Sequence, residues 1–334
     1  MIRMDRESGY NNLIVSEEEA KALVEEGWHS ADLHLHTLFS YDVLPVPSLH
    51  PEALYRKAID MGMGYVTFTD HDTIRAHQVL GERVGLVSGV EMKIRDLDLV
   101  GHTIHVNVYD LDGEEFQELA AIAKVDADLK AFVAFLERRG LPFVYNHPFW
   151  FEPGERPNLR SIPEVVKLFP VMEHNMHRVE MKNRFAMTVA RRYGKGLVAA
   201  TDSHSGAVGK VRTLAKGETF REYFGNIAAG RSRIVAHDLT VQDLIDELNG
   251  WIELIFNLEG TRLDVSDFST GFSHLDRLVR TLASERIRRR PGVYQAFERL
   301  ARKISNTGIP ASIYLNMENS IIPQIEDFMM AKLL

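Results

Sequence analysis

The spacing of apolar residues changes once along this 334-residue chain, near position 238. Upstream, short apolar runs alternate with longer stretches of helical spacing. The run Ala31-Asp32-Leu33-His34-Leu35-His36-Thr37 alternates apolar and polar positions and reads as a strand. Residues 65–69, 86–91, 103–108, 142–145, 170–173, 196–200 and 233–236 read as further strands. Helices are expected over 51–59, 113–139, 180–193 and 218–229, and a first short helix before Gly27, where Ser16 and Glu19 have capping-box spacing. Downstream, Val241, Leu244, Ile245 and Leu248, then Phe297, Leu300 and Ile304, keep helical spacing with no strands between. The chain thus divides into a lead-in (1–26), an α/β body (27–237) and a helical C-terminal appendage (238–334). Apolar strands alternating with helices predict a parallel sheet, closed as a barrel or doubly wound, with ligands at the carboxyl ends of the strands.

Composition narrows the chemistry. With 45% apolar and 26% charged residues the chain can bury a large core. It has no cysteine, so any metal must be held by imidazole and carboxylate, which suits zinc, manganese or iron. Asp and Glu outnumber Lys and Arg by 47 to 39, against a protein that holds nucleic acid through its overall field. No apolar run approaches the about 20 residues of a membrane span, and the first 12 residues are too polar for a signal peptide. The expectation is a cytoplasmic protein without membrane contacts; the sequence sets no oligomeric state.

The candidate chemistry lies where predicted strands end. His34 and His36, two residues apart on a strand, share a face and can share one ion. The other strand regions supply Asp42, His71, Glu91, His105, His147, Asp202 and His204. Each has a plainer reading: His105 as a satisfied core histidine, Asp202 as a helix cap, His147 before Pro148 as a turn residue. Together they read as a metal centre, because a core does not gather nine ionisable groups unless cations neutralise them.

The motifs Asp32-Leu33-His34-Leu35-His36-Thr37, Thr69-Asp70-His71-Asp72-Thr73, Gly89-Val90-Glu91, Ile104-His105-Val106, Asn146-His147-Pro148 and Thr201-Asp202-Ser203-His204 resemble, in this order, those of the PHP (polymerase and histidinol phosphatase) domain, in particular its stand-alone metal-dependent phosphoesterases. The resemblance covers about residues 27–236; Asn146 stands where the family more usually has alanine. It implies a distorted (β/α)7 barrel with three divalent ions at its mouth. His34, His36, Glu91 and Asp202 would hold one ion, with Glu91 bridging to a second held by His105 and His147; the third would take Asp42, His71 and His204. His102 competes with His105, and the Ile-His-Val setting favours His105. His77 and His174 lie close to motif positions.

The implied activity is hydrolysis of a small phosphate monoester or nucleotide by a metal-bridging hydroxide, with Glu91, Asp202 and His204 expected to carry catalysis. Lys93, Lys210 and Arg212 are candidate phosphate-binding cations. Glu173 and Asn175 resemble a Glu-x-Asn element of nucleotide-directed members and read either as substrate contacts or as support for the ligands. Asp70 and Asp72 read as groups that orient histidines or cap a helix. Arg286, Arg288, Arg289 and Arg290 read as a solvated helix face, with a nucleic-acid patch as the other reading. The alternatives are an oligonucleotide phosphodiesterase or exonuclease, and a metal-binding structural domain without activity.

Overall fold

The computed structural model describes residues 13–256, 264–271 and 273–332. Of the lead-in, 1–12 lie outside the described residues. The remainder forms helix α1 (Glu17–Glu25), closed by the expected capping box between Ser16 and Glu19. Eight strands follow among the described residues: β1 (His29–Ala31), β2 (Gly89–Ile94), β3 (Ile104–Tyr109), β4 (Phe143–Tyr145), β5 (Val171–Asn175), β6 (Gly196–Ala200), β7 (Arg212–Ala215) and β8 (Arg233–Val235). The helices of this part are α2 (Pro51–Asp60), α3 (Arg75–Leu80), α4 (Gly113–Ala121), α5 (Leu129–Arg139), α6 (Ile162–Leu168), α7 (Glu180–Arg192) and α8 (Phe220–Ala228). The expected single helix over 113–139 is broken: a π-helical turn ends at Ala127, whose φ is 50°, and Asp128 starts α5 by accepting from the Ala131 amide.

The strands form two sheets, ordered β1-β7-β8 and β2-β3-β4-β5-β6. The larger is mixed, which corrects the expected all-parallel sheet. β4, β5 and β6 are parallel, whereas β3 runs antiparallel to both β2 and β4. The connection from β2 to β3 holds no crossover helix, and a parallel pair needs one.

No continuous closed barrel is found among the described residues. The segments around 33–36 and 65–71 belong to no ladder; isolated bridges join Leu35 to Ser203, Val66 to Leu86 and His71 to Glu91, and the Thr69 amide donates to the Leu35 carbonyl. Here side chains take over from the backbone ladder. The Leu35 amide donates to Thr69 Oγ1, the Thr37 amide to Asp70 and the Thr201 amide to Asp32. A backbone group satisfied by a side chain is removed from strand pairing.

Both faces of the central strands are buried, and alternation sorts their side chains. Val144 and Val198 pack with Leu33, Tyr109 and Tyr223, whereas Phe143, Tyr145, Leu197 and Ala199 face the helices. Beyond residue 238 the described chain is helical: α9 (Val241–Phe256), α10 (Ser273–Ala283), α11 (Glu285–Arg288), α12 (Pro291–Asn306), α13 (Ile309–Asn319) and α14 (Ile322–Lys332). Its apolar side chains join the α/β part in two clusters among the described residues. Ile325, Phe328 and Met329 enter the main core, and Ile255, Phe256 and Leu282 join the cluster of Leu49, Leu54 and Phe68. No helix among the described residues is long and apolar enough to cross a membrane.

Gly196 opens β6 where α8 ends. A Cβ there would lie 2.2 Å from the Ile227 carbonyl oxygen and 2.9 Å from Ala228 Cα. Backbone cannot rotate away, so Gly196→Ala is expected to destabilise by roughly 1–3 kcal/mol through overpacking. A guanidinium unfolding midpoint equal to wild type would show that α8 is not seated this tightly.

Candidate metal centre

Each predicted ligand reaches the centre by a different route. His34 and His36 follow β1 on a segment fixed by backbone bonds, from the Asp202 amide to the His34 carbonyl and from the His36 amide to the Ser203 carbonyl. The β2–β3 register places His105 opposite Lys93 and Asn107 opposite Glu91, so Glu91 and His105 are diagonal neighbours on one face. Because β3 is antiparallel, His105 sits at that strand's amino end rather than a carboxyl end. His102 lies outside β3, with its ring 4.9 Å from Phe151 and away from the cluster. His147 and Asp202 follow β4 and β6 with φ of 24° and 53°, backbone shapes that non-glycine residues rarely adopt and that concentrate at functional sites.

The structure brings all nine predicted side chains together. His36, Asp42, His71 and His204 form one group of converging donors; His34, His36 and Glu91 form a second; His71, Glu91 and His105 form a third. Asp202 Oδ1 lies 3.2 Å from Nε2 of both His34 and His36, and His147 Nε2 lies 3.3 Å from Glu91 Oε1. The groups overlap more than the resemblance implies. His36 stands in two of them because its ring lies 4.2 Å from that of His204 and 5.1 Å from that of His34.

The donor set fits divalent ions. His34 and His36 present Nε2 atoms 3.1 Å apart, about the separation of two nitrogens bound to one ion at about 2.0–2.1 Å each. His71 Nδ1 and Glu91 Oε2 are 2.9 Å apart, yet both are buried and neither makes a hydrogen bond among the described residues. Such atoms converge on a point between them instead of on each other. Asp42 Oδ1 is likewise buried without a hydrogen-bond partner among the described residues.

The electrostatics agree. Burial alone would raise the Glu91 carboxyl, but His34, His71 and His105 hold it well below the usual range, and His71 and His204 do the same for Asp42. Burial lowers the His34 imidazole, yet Asp202, Glu91 and Glu173 hold it well above the usual value. Burial and the neighbouring His204 push His36 down to about 3. Some imidazoles are thus driven to hold protons and another to give its proton up, a conflict that cations resolve by replacing the shared protons.

Further residues fix the ligands. His34 Nδ1 donates to Glu173 Oε1 at 2.7 Å, leaving the Nε2 lone pair for the centre. His204 Nδ1 donates to the Asp202 carbonyl at 2.8 Å, and His36 Nδ1 lies 3.2 Å from Ser40 Oγ. Glu173 also accepts from the His147 amide and from Asn175 Nδ2, which in turn donates to Asp202. Glu173 and Asn175 are buried and fully engaged, so the structure favours support over substrate contact. Asp70 accepts from both the amide and hydroxyl of Thr37, and burial pushes its carboxyl up to about 6.

The candidate cations fare unequally. Arg212 lies on β7 and binds Glu17 of α1, so the structure does not bring it to the centre. Lys210 is exposed just before β7. Lys93 stands at the rim, paired with Glu152 and 5.2 Å from the Tyr41 ring centroid. His77 and His174 bond backbone, at Phe68 and His237, outside the cluster. Sequence reasoning missed Ser40, Glu152 and Arg178. Ser40 and Glu152 occupy loops, and only their nearness in sequence to His36 and His147 hinted at them; Arg178 lies 3.6 Å from Asp202 and had no motif to signal it.

Glu173→Gln removes the carboxylate that sets the His34 tautomer. It is expected to weaken metal affinity about 10–100-fold with little change in fold. Competition against a coloured chelator measures this, and wild-type affinity in the variant would remove Glu173 from the supporting role.

Neither a protein-family model nor a curated protein matches the chain. Similar solved structures include PsfC from Pseudomonas syringae, at 17% identity and TM-score 0.44, covering 63% of this chain and 92% of that one. A candidate metal-dependent phosphoesterase from Bifidobacterium adolescentis is similar at 16% identity and TM-score 0.42, over 58% of this chain and 95% of that one. A two-domain protein from Bacteroides vulgatus, containing a predicted PHP-like metal-dependent phosphoesterase, is similar at 15% identity and TM-score 0.45, over 68% and 70%. The chain's structural neighbours thus include proteins described as metal-dependent phosphoesterases, one of them as PHP-like.

Proposed function

We propose that this chain is a metal-dependent phosphoesterase acting on small phosphate monoesters. The observation that carries the reading is the sharing of ligands: Glu91 belongs to two donor groups, and so do His36 and His71. Well-separated ions would need separate donor groups, whereas a carboxylate such as Glu91 can bridge two ions, and groups that overlap at His36 and His71 put the ions close together, the arrangement used for in-line displacement at phosphorus. On this reading His34, His36, Asp42, His71, Glu91, His105, His147, Asp202 and His204 hold two or three divalent ions, which when bound activate water and neutralise charge on the phosphate oxygens.

The chain's own residues do the rest. Glu173 and Ser40 keep the two first histidines turned toward the centre, at 2.7 Å and 3.2 Å from their Nδ1 atoms. Asp42 and His204 are the least buried members and mark the side from which a substrate enters. The Trp150 ring, with its centroid 5.1 Å from those of His105 and His147, packs edge-on against both imidazoles.

Full-length protein reconstituted with manganese, zinc or iron should release phosphate from 4-nitrophenyl phosphate or a panel of nucleotides. Chelation should abolish this. His34→Ala should lose at least one ion by elemental analysis and nearly all turnover while keeping its circular dichroism spectrum. Full metal occupancy without turnover on any ester would favour a structural metal domain, and turnover retained in His34→Ala would refute the assignment of the centre.

A further inference from the structure

One cation beside the centre is tied to the C-terminal helices. Arg178 follows β5 and is buried. Its guanidinium lies 3.6 Å from Asp202 and 5.2 Å from the centroid of Trp150, the ring that also packs against His105 and His147. On its other side stands α13: Arg178 Nη1 donates to Tyr314 Oη at 3.4 Å and lies 3.9 Å from Glu318. Glu318 is fixed in turn by Lys182 of α7, at 2.8 Å, in a buried ion pair.

Two features separate Arg178 from a structural arginine. Its Nε is buried and has no acceptor among the described residues, although a buried guanidinium normally satisfies that donor. Its nearest carboxylate at the centre, Asp202, is an assigned ligand already engaged by His34, His36 and Asn175, so it offers Arg178 a long contact instead of a bidentate one. An arginine with an unspent Nε beside a phosphoryl centre is matched to a tetrahedral oxyanion, which accepts two parallel N–H bonds from its fork.

We propose that Arg178 binds the substrate's phosphate and that α13, through Tyr314 and Glu318, positions it. This rests on the phosphoesterase reading and deepens it to a substrate preference. A phosphate monoester carries three non-bridging oxygens and a diester two. Where the centre engages two, an added arginine has an acceptor on the monoester only. The C-terminal helices thereby select for terminal phosphates although none of the nine assigned ligands comes from them.

The test uses full-length, metal-loaded protein with inorganic phosphate as the probe. Calorimetric titration should give an affinity for phosphate that Arg178→Gln lowers at least tenfold and Arg178→Lys, which keeps the charge but not the fork, lowers about threefold to tenfold. Tyr314→Phe should lower it about threefold, with metal content and melting temperature close to wild type; Glu318→Gln, which leaves Lys182 buried without its carboxylate, should lower it at least as much, with a lower melting temperature and unchanged metal content. In steady state, the same variants should raise KM for 4-nitrophenyl phosphate more than they reduce kcat, and should affect bis(4-nitrophenyl) phosphate less. Should Arg178→Gln fail to fold, Arg178→Lys carries the test. Unchanged phosphate affinity, loss of metal in step with loss of phosphate binding, or equal losses on monoester and diester would each overturn the proposal. If wild type turns over no ester, the phosphoesterase reading fails, and calorimetry still decides whether Arg178 binds the oxyanion.

Discussion

Glu91 is buried, and five imidazoles lie 2.9–3.4 Å from its oxygens: those of His34, His36, His71, His105 and His147. Removing a carboxylate from water costs several kcal/mol unless opposite charge and donors replace the solvent. Five imidazoles could do so by taking up protons, but their rings would then repel one another at centroid separations such as the 4.6 Å between His36 and His71. Divalent ions remove the conflict, since neutral imidazoles become ligands and the carboxylate keeps its charge. Much of the local architecture follows from keeping these groups converged.

The backbone bears part of that cost. His147 and Asp202 adopt left-handed φ, which for residues other than glycine costs of order 1–3 kcal/mol and persists only where the surroundings over-determine it. Glu173 supplies that determination for His147 by accepting its amide, and Asn175 links Glu173 to Asp202. One strand, β5, therefore stabilises both strained turns and also orients His34. The same demand accounts for the interrupted ladders near the centre, where Asp32, Thr69 and Asp70 take backbone bonds that neighbouring strands would otherwise make.

The cluster of candidate ligands is legible in the sequence because its members sit at fixed places in short motifs: a period of two puts His34 and His36 on one side, and the polar tips recur where strand segments end. The direction of β3 was not legible, since a run such as Thr103 to Val108 looks the same either way and only the missing crossover helix betrays it. β7 gives little strand signal because it is four residues long and begins with a charged one, so Arg212, a candidate phosphate-binding cation in the sequence, is in the structure a strand residue paired with Glu17. Ser40, Glu152 and Arg178 belong to no periodic pattern; each matters through contacts that only folding creates, Ser40 with the His71 amide, Glu152 with His105 and Arg178 with Asp202.

That last point bears on the C-terminal helices. Phe328 and Met329 anchor α14 by apolar packing on the main core. The buried link from Lys182 through Glu318 to Arg178 is different in kind. A buried ion pair gains little net stability over apolar residues of similar size, because desolvation consumes most of the Coulomb attraction. What such a link does supply is registration, since breaking it by removing either partner strands a charge. A cation 3.6 Å from Asp202 is therefore held by a device that fixes position better than it adds stability. Conformational precision is what a phosphate-binding arginine requires, and it is the property that apolar packing of α14 alone would not have provided.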